Sequence, residues 1–341
     1  MSASLPPDVD RSAALLSSFW IPFPFTFLLI CTRLYSRVLR KDLGLDDFLI
    51  VVAWVLYLIG LCLSTVMVRH GGLRHIQYLT MDQLEFVLKM EIVDQPFGVL
   101  SAMFGKISVA LFICRVMGAT AKYRRYIIYV NIAIYVALSF VNIGVLFGQC
   151  KPTAALWTPA LAAAPSTKCL DASINTDLSI LQAAFGAWID FFLALLPLTF
   201  ILKLKVSVKR RMILCALLGL GLVACVCACI KAAQFSKSTN NPDATWATYS
   251  VYLWASLELP FVIIAASIPP SKPVWDAIFN GKPIRLDSNT FKNSKSSGHS
   301  GLIYRFGRSQ NSQLKSSTAS MEESVGGGEA DVQEKRNHSV V

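Results

Sequence analysis

The chain has 341 residues, of which 54% are hydrophobic and only 16% charged. With a mean hydropathy of +0.51 it lies outside the range of ordinary water-soluble domains, and the bilayer is its natural solvent. The formal net charge of +11 would suggest nucleic acid in a soluble protein, but here the basic residues fall mainly in short loops between apolar runs, so the charge describes topology and no nucleic-acid partner is expected.

The chain opens MSASLPPDVDRS, with Asp8 and Asp10 ahead of the first apolar run and no basic leader segment, so the first helix is expected to stay as an anchor. Crossing the hydrocarbon takes about 20 apolar residues in a helix, which pairs its backbone polar groups internally. Stretches that meet this requirement run over 13–32, 48–68, 93–117, 126–148, 177–202, 212–235 and 247–268. The third is the least clean: Glu91, Asp94, Gln95 and Pro96 crowd its start and Lys106 lies inside it. The fold class is therefore all-α: residues 1–12 form a short extracellular N-terminus, 13–276 a seven-helix transmembrane bundle and 277–341 a disordered cytoplasmic tail. From about Lys282 the composition turns to Ser, Asn, Lys and Gly, which buries too little apolar surface to offset ordering entropy. The tail is either inert or a substrate for kinases and adaptors.

Basic residues set the orientation. Arg33, Arg37, Arg40 and Lys41, then Arg115, Lys122, Arg124 and Arg125, then Lys203, Lys205, Lys209, Arg210 and Arg211 fall on one side. That side reads as cytoplasmic, which puts the N-terminus outside and makes the plasma membrane the expected location. Trp20, Trp157, Trp246 and Tyr249 lie near the opposite boundary, where amphipathic rings commonly anchor at the interface.

Nine cysteines are present. Cys150 and Cys169 flank the long loop on the outer side, the oxidising side in this reading; they are expected to form a disulfide, against the alternative of two free thiols. Cys225, Cys227 and Cys229 alternate by two on a helix, which turns neighbours about 200° apart, so they read as packing residues and no metal site is expected.

Ionisable groups at membrane depth cost ~2.5 to 3.5 kcal/mol or more and persist with a partner or a purpose. Lys106, Asp190 and Glu258 each lie about eleven to thirteen residues from the outer boundary, ~16 to 20 Å deep, on the third, fifth and seventh helices. They read as a salt bridge that fixes helix packing, as the polar floor of a ligand cavity open to the outside, or as a proton or ion path. Asn142, Gln182 and Lys231 lie nearer the outer side and are candidates to line the same cavity. At the inner end, Arg33, Arg37, Asp46 and Asp47 read as an ionic latch between two packings of the bundle, or as lipid-headgroup anchors and helix caps.

The order of several short motifs carries a resemblance. They are Arg33-x-Tyr35-x-Arg37, then Leu43-Gly44-Leu45-Asp46-Asp47 and Trp54; Gly71-Gly72 with His75; Gly105-Lys106-Ile107-Ser108 with Arg115; Cys150-x-Pro152 with Trp157 and Cys169; Asn175 and Asp177; Asp190 with Pro197; Asp243, Trp246, Trp254 and Glu258; and Pro269. In this the chain resembles the fungal rhodopsin-like-domain integral membrane proteins, the group that contains satratoxin-cluster membrane proteins and Pth-type receptor-like proteins. The resemblance implies a seven-helix, receptor-like bundle and, for some relatives, a link to secondary-metabolite gene clusters. Two departures stand out. Lys231 occupies a position near the end of the sixth helix where many relatives have Arg, and no Cys-rich extracellular module is expected ahead of the first helix.

No retinal is expected, since 247–268 contains no lysine for a Schiff base, and no other cofactor is implied. Cys114-Arg115-Val116 ends the third helix in place of Asp-Arg-Tyr, and the seventh lacks Asn-Pro-x-x-Tyr, so coupling to a G protein is not implied. Two functions remain. One is a receptor that senses a small, lipophilic ligand and signals to a cytoplasmic protein. The other is a membrane-embedded enzyme or exporter of a metabolite pathway, with Glu258 and Asp190 as acid groups. Against an enzyme, there is no His-rich cluster, Gly-x-Ser-x-Gly or dinucleotide fingerprint; against an exporter, there is no internal repeat.

Overall fold

The computed structural model describes residues 11–117, 122–201, 208–239 and 244–280. The first ten residues and the predicted tail from 281 onward lie outside these, as do Asp243 and the basic residues Lys203 and Lys205; positions 277–280, expected in the tail, are the end of a helix. Seven helical segments are long and apolar enough to cross a membrane, as the sequence predicts. The first span consists of α1 (Ser12–Trp20) and α2 (Pro22–Leu39), divided at Ile21 because Pro22 supplies no N–H to the preceding turn. The others are α3 (Leu45–Arg69), α4 (Met81–Met117), α5 (Lys122–Gly148), α7 (Ala172–Ile201), α8 (Val208–Thr239) and α9 (Ala244–Asn280).

The third span differs from its predicted start at residue 93. Thr80 and Gln83 form a reciprocal cap, with the Gln83 N–H donating to Thr80 Oγ1 at 3.4 Å and the Thr80 N–H to Gln83 Oε1 at 3.1 Å. This Thr-x-x-Gln box starts α4 a full twelve residues earlier, at Met81. Pro96 is contained inside the helix. Glu91 and Asp94 are therefore interior residues of a long helix and not its ragged beginning.

A short connection between α5 and α7 covers one end of the bundle. Strands β1 (Cys150–Lys151) and β2 (Lys168–Cys169) pair antiparallel with Cys150 opposite Cys169, and the two cysteines are disulfide-bonded. Between them lies the one-turn helix α6 (Pro159–Ala162). The loop is tied to the extension of α4: Thr158 Oγ1 donates to Glu85 Oε1 at 2.7 Å, and the Lys89 ammonium lies 5.8 Å from the Trp157 ring centre. Asp171 caps α7 by accepting from the Ser173 N–H at 3.0 Å, and these hydrogen bonds hold its carboxyl below the usual value.

Lipid supplies no hydrophobic force between helices, so close backbone approach and polar contacts set the packing. Half of the apolar window of α4 is buried and 44% of those of α7 and α9, against 22–28% for the other spans. The three helices that carry Lys106, Asp190 and Glu258 are thus the enclosed ones. α4 lies at the centre, against α3, α5, α7 and α9. α7 and α8 approach so closely that a Cβ on Gly221 would lie 2.6 Å from that of Ala194, which only glycine relieves. The exposed rings of Tyr126, Phe140 and Phe147 on α5 give that helix an apolar outer face.

Not every ring near the boundary is a simple interface anchor. Trp246 is stacked on His75 with centroids 4.0 Å apart, and the Arg11 guanidinium lies 3.8 Å from its ring centre. This sandwich ties α1, the α3–α4 connection and α9 together at the same end as the disulfide.

Replacing either half of the disulfide restores loop entropy to the unfolded chain, a loss of roughly 3 kcal/mol for a loop of this size. Cys150→Ser and Cys169→Ser should each lower the melting temperature in detergent, and the double variant should melt no lower than the worse single one. Additive losses would show that the two thiols act separately.

Candidate functional site

At mid-span, four charges from four helices meet. Lys106 on α4 is fully buried. Its ammonium lies 2.6 Å from Asp190 Oδ2 on α7 and 3.2 Å from Glu258 Oε1 on α9, and it donates to the Gly186 carbonyl at 3.0 Å. Glu258 uses its second oxygen to accept from Lys231 on α8. The order is Asp190, Lys106, Glu258, Lys231, with two cations and two carboxylates and no net charge. Tyr135 on α5 places its ring face toward Lys106, 5.6 Å away, and accepts at its hydroxyl from Gln182 Nε2 at 3.2 Å. Neutral pairing of this kind is what makes charge tolerable in hydrocarbon.

The network separates two cavities. One, of about 190 Å³, lies toward the basic end of the helices and is almost wholly apolar, bounded by Lys106 and Asp190 at its top and by Phe112, Phe261 and Leu193. The other, of about 140 Å³, lies toward the disulfide end and is more polar; Glu258 and Lys231 form its base, and Asn142, Gln182, Asp94 and Glu91 belong to its walls. Asn142 Nδ2 donates to Ser179 Oγ at 3.0 Å. The sequence-predicted residues Lys106, Asp190 and Glu258 are brought together, while Asn142 and Gln182 line the second cavity with Lys231.

Sequence reasoning missed two things here. Lys231 is a member of the ion network and not only a lining residue, since α8 runs on to Thr239 and sets it deeper than a boundary at residue 235 implies. Glu91 and Asp94 are part of the second cavity: Asp94 accepts from Ser64 Oγ at 2.8 Å and from the Tyr252 hydroxyl, and Glu91 accepts from Thr248.

At the basic end, Arg33, Arg37, Asp46 and Asp47 form one buried cluster. Arg33 donates through Nε to Asp47 Oδ1 and through a terminal nitrogen to Asp46 Oδ2, each at 2.7 Å. Arg37 lies 3.3 Å from Asp46 and 2.7 Å from Asp42. The cluster is larger than the four residues singled out from sequence: Arg115 of α4 reaches Asp42 at 2.5 Å and Asp46 at 3.1 Å. With three arginines and three aspartates, it too sums to zero. Gly44 leaves the room this needs, because a Cβ there would lie 2.7 Å from an Arg115 nitrogen.

The cluster also holds α9. Arg33 donates to the Ala266 carbonyl, whose helical partner four residues on is Pro270, which has no N–H. The orphaned carbonyl is thereby satisfied by a guanidinium from α2. Ser36 Oγ and Arg40 donate to the Pro270 carbonyl at 2.8 and 3.0 Å. The aspartates do cap α3, with the Gly44 N–H donating to Asp47 Oδ2 at 3.1 Å, so capping and interhelical pairing occur together. Among the described residues no group of three or more His, Cys, Asp or Glu could hold a metal ion. Cys225, Cys227 and Cys229 are half-buried, buried and exposed respectively; Cys225 and Cys229, four residues apart, meet on one side of α8, and Cys227 lies on another.

Comparison with known proteins gives the family. A family model described as the fungal rhodopsin domain matches residues 32–277. A protein named Fugralins biosynthesis cluster protein 2, from Gibberella zeae, is 34% identical over 142 residues, 41% of this chain and 32% of that protein. A SAT4 family membrane protein from Emericella nidulans is 24% identical over 220 residues, 63% of this chain and 52% of the relative. The chain thus spans about a third and about half of the lengths of these relatives. No solved structure matches. With most of its length matched by one family model and seven membrane-spanning helices, this chain is a multi-pass membrane protein that belongs to the fungal rhodopsin domain family.

Proposed function

We propose that the protein is a seven-helix receptor of the plasma membrane that senses a small, lipophilic ligand in the cavity at the disulfide end. It signals from the basic end to a cytoplasmic protein. The N-terminus and the disulfide face outward and the C-terminus inward; the Cys150–Cys169 bridge supports this orientation, since disulfides persist on the oxidising side of a membrane, and so does the excess of basic residues at the other end.

The observation that carries the receptor reading is that α4 and α9 each take part in both charge networks. α4 contributes Lys106 to one and Arg115 to the other; α9 contributes Glu258 to one and the Ala266 carbonyl to the other. The separations along the helices are eight or nine residues, ~12 to 14 Å. A ligand seated on Glu258 and Lys231 acts on the upper network, and any change in the α4–α9 contact repacks the lower one. Interfaces of this kind have discrete arrangements, and a ligand that favours one shifts the population toward it.

A second reading has one observation in its favour: the relative from Gibberella zeae takes its name from a biosynthesis cluster. In that reading the same cavity holds a pathway intermediate, and the protein is an enzyme or exporter of a metabolite route.

Gly98 lines the cavity and has open space where a Cβ would lie. Gly98→Leu should therefore fill the cavity without strain, leave membrane abundance unchanged and abolish the transcriptional response of cells to culture extract. A pathway component would instead lose a metabolite from the extract, read by mass spectrometry, with the response to added extract intact.

The ion network makes a sharper prediction. Glu258→Gln leaves Lys231 unpaired and Lys106 with one partner, a loss of ~3 to 5 kcal/mol by precedent for buried pairs. Lys231→Gln together with Glu258→Gln restores neutrality, so the double variant should melt higher in detergent than Glu258→Gln alone. Both should lose signalling. Equal or lower melting of the double variant would refute the pairing.

Removing Arg33 from the lower cluster gives a parallel test. Arg33→Met leaves the Ala266 carbonyl without its donor and takes from Asp46 and Asp47 their closest basic partner, and should cut membrane abundance several-fold by immunoblot. Arg33→Lys, which keeps charge but not the forked geometry, should recover part of it.

A further inference from the structure

The two networks of buried charge are each neutral, but a third group is not. Glu91 and Asp94, three residues apart and hence on one face of α4, line the cavity at the disulfide end. Among the described residues, neither pairs with a lysine or arginine. Asp94, only 7% exposed, accepts from Ser64 and Tyr252, and Glu91 accepts from Thr248. A carboxylate offers about four acceptor positions, so both retain unused capacity.

A second, independent feature points the same way. Asn142 and Gln182 line this cavity and are only 1% and 7% exposed. Their amide nitrogens are used, on Ser179 and Tyr135, while no described residue donates to either amide oxygen. Buried polar atoms normally find a partner. Among the described residues of the walls, the one cation, Lys231, is committed to Glu258. The cavity therefore presents a surplus of acceptors and two acids without a basic partner, set among apolar walls such as Phe19, Leu61 and Phe235.

We propose that this cavity recognises a small lipophilic amine, held as its ammonium by Asp94 and Glu91. Its three N–H groups are shared among these carboxylates and the Asn142 and Gln182 oxygens, and its apolar body lies against the aromatic and aliphatic wall. The assignment rests on the receptor reading of the same cavity and names its ligand class. Gly60 leaves space for the Asp94 carboxylate, since a Cβ there would stand 3.1 Å from Oδ1. An ammonium brings both the charge and the donors that the cavity lacks, whereas a carboxylic acid would add to the surplus.

The test uses the full-length protein in phosphatidylcholine nanodiscs, with thermal unfolding as the readout and phenethylamine, 2-phenylethanol and phenylacetate as probes. Phenethylamine should stabilise saturably, with 2-phenylethanol about tenfold or more weaker, as expected for loss of charge-assisted hydrogen bonds. Phenylacetate should give no shift. Asp94→Asn and Glu91→Gln should each reduce the amine preference by about tenfold, while Asp171→Asn at the exposed cap of α7 leaves it intact. Equal stabilisation by amine and alcohol, or the same stabilisation by sodium chloride alone, overturns the proposal. If the acid variants do not accumulate, the comparison of amine with alcohol on the unaltered protein decides it. A protein that prefers the amine in nanodiscs but gives no amine response in cells keeps this assignment and loses the receptor reading. A cellular response to extract with no amine preference in nanodiscs does the reverse.

Discussion

A lysine buried completely at the centre of seven apolar helices is the constraint from which the rest of the architecture follows. Charge in hydrocarbon has to be matched where it stands, because neither water nor lipid tails supply a counter-charge. Lys106 on α4 therefore fixes Asp190 of α7 and Glu258 of α9 within reach, and Glu258 in turn fixes Lys231 of α8. Four of the seven spans acquire their depth and rotation from this one chain of contacts. α4 has to be central for it to exist, which agrees with its being the most enclosed of the spans.

The same logic repeats at the basic end with arginine in place of lysine. Here the planar guanidinium matters, since Arg33 reaches two aspartates and a carbonyl at once. A lysine ammonium, compact and without a rigid fork, suits the upper network, where each lysine meets carboxylates from neighbouring helices. Pro270 couples the lower cluster to α9 by removing a backbone donor, so a covalent feature of one helix creates the acceptor that another helix needs. The apolar clusters fill the space between the levels: Ile30, Ile50 and Ile263 join α2, α3 and α9, and Met103, Ile189 and Leu193 join α4 and α7.

Much of this was legible before any coordinates. Seven apolar runs and the three mid-depth charges follow from solvation energies large enough to override local propensity. What the sequence did not disclose has physical reasons. Residue depth was counted from the ends of apolar runs, but α8 continues to Thr239 and α4 begins at Met81. Depth read from apolar ends therefore sets Lys231 too shallow for the ion network and puts Glu91 and Asp94 at the boundary. The Thr80–Gln83 capping box was the available signal for the true start of α4, and it was hidden because a polar cap at the membrane edge looks like any polar loop. Arg115 joins the lower cluster from 69 positions away from Asp46, a long-range contact that no local pattern encodes. Trp246 looked like an interface anchor because its stacking on His75 and Arg11 depends on three separated segments meeting.

Charge balance divides the buried polar groups of this bundle into two kinds. Asp190, Lys106, Glu258 and Lys231 cancel; Arg33, Arg37 and Arg115 cancel Asp42, Asp46 and Asp47. Each set balances its own charge, so each can be explained by helix packing in a solvent that provides no hydrophobic drive between helices. Glu91 and Asp94 join α4 to α3 and α9 through hydroxyls, but among the described residues they have no basic partner. Hydroxyls from Ser64, Tyr252 and Thr248 solvate them without neutralising them, and apolar residues at both positions would make helix packing in lipid easier. On the proposed reading, groups that burden the fold and line its polar cavity are kept for what enters that cavity, and the two neutral networks are the frame around it.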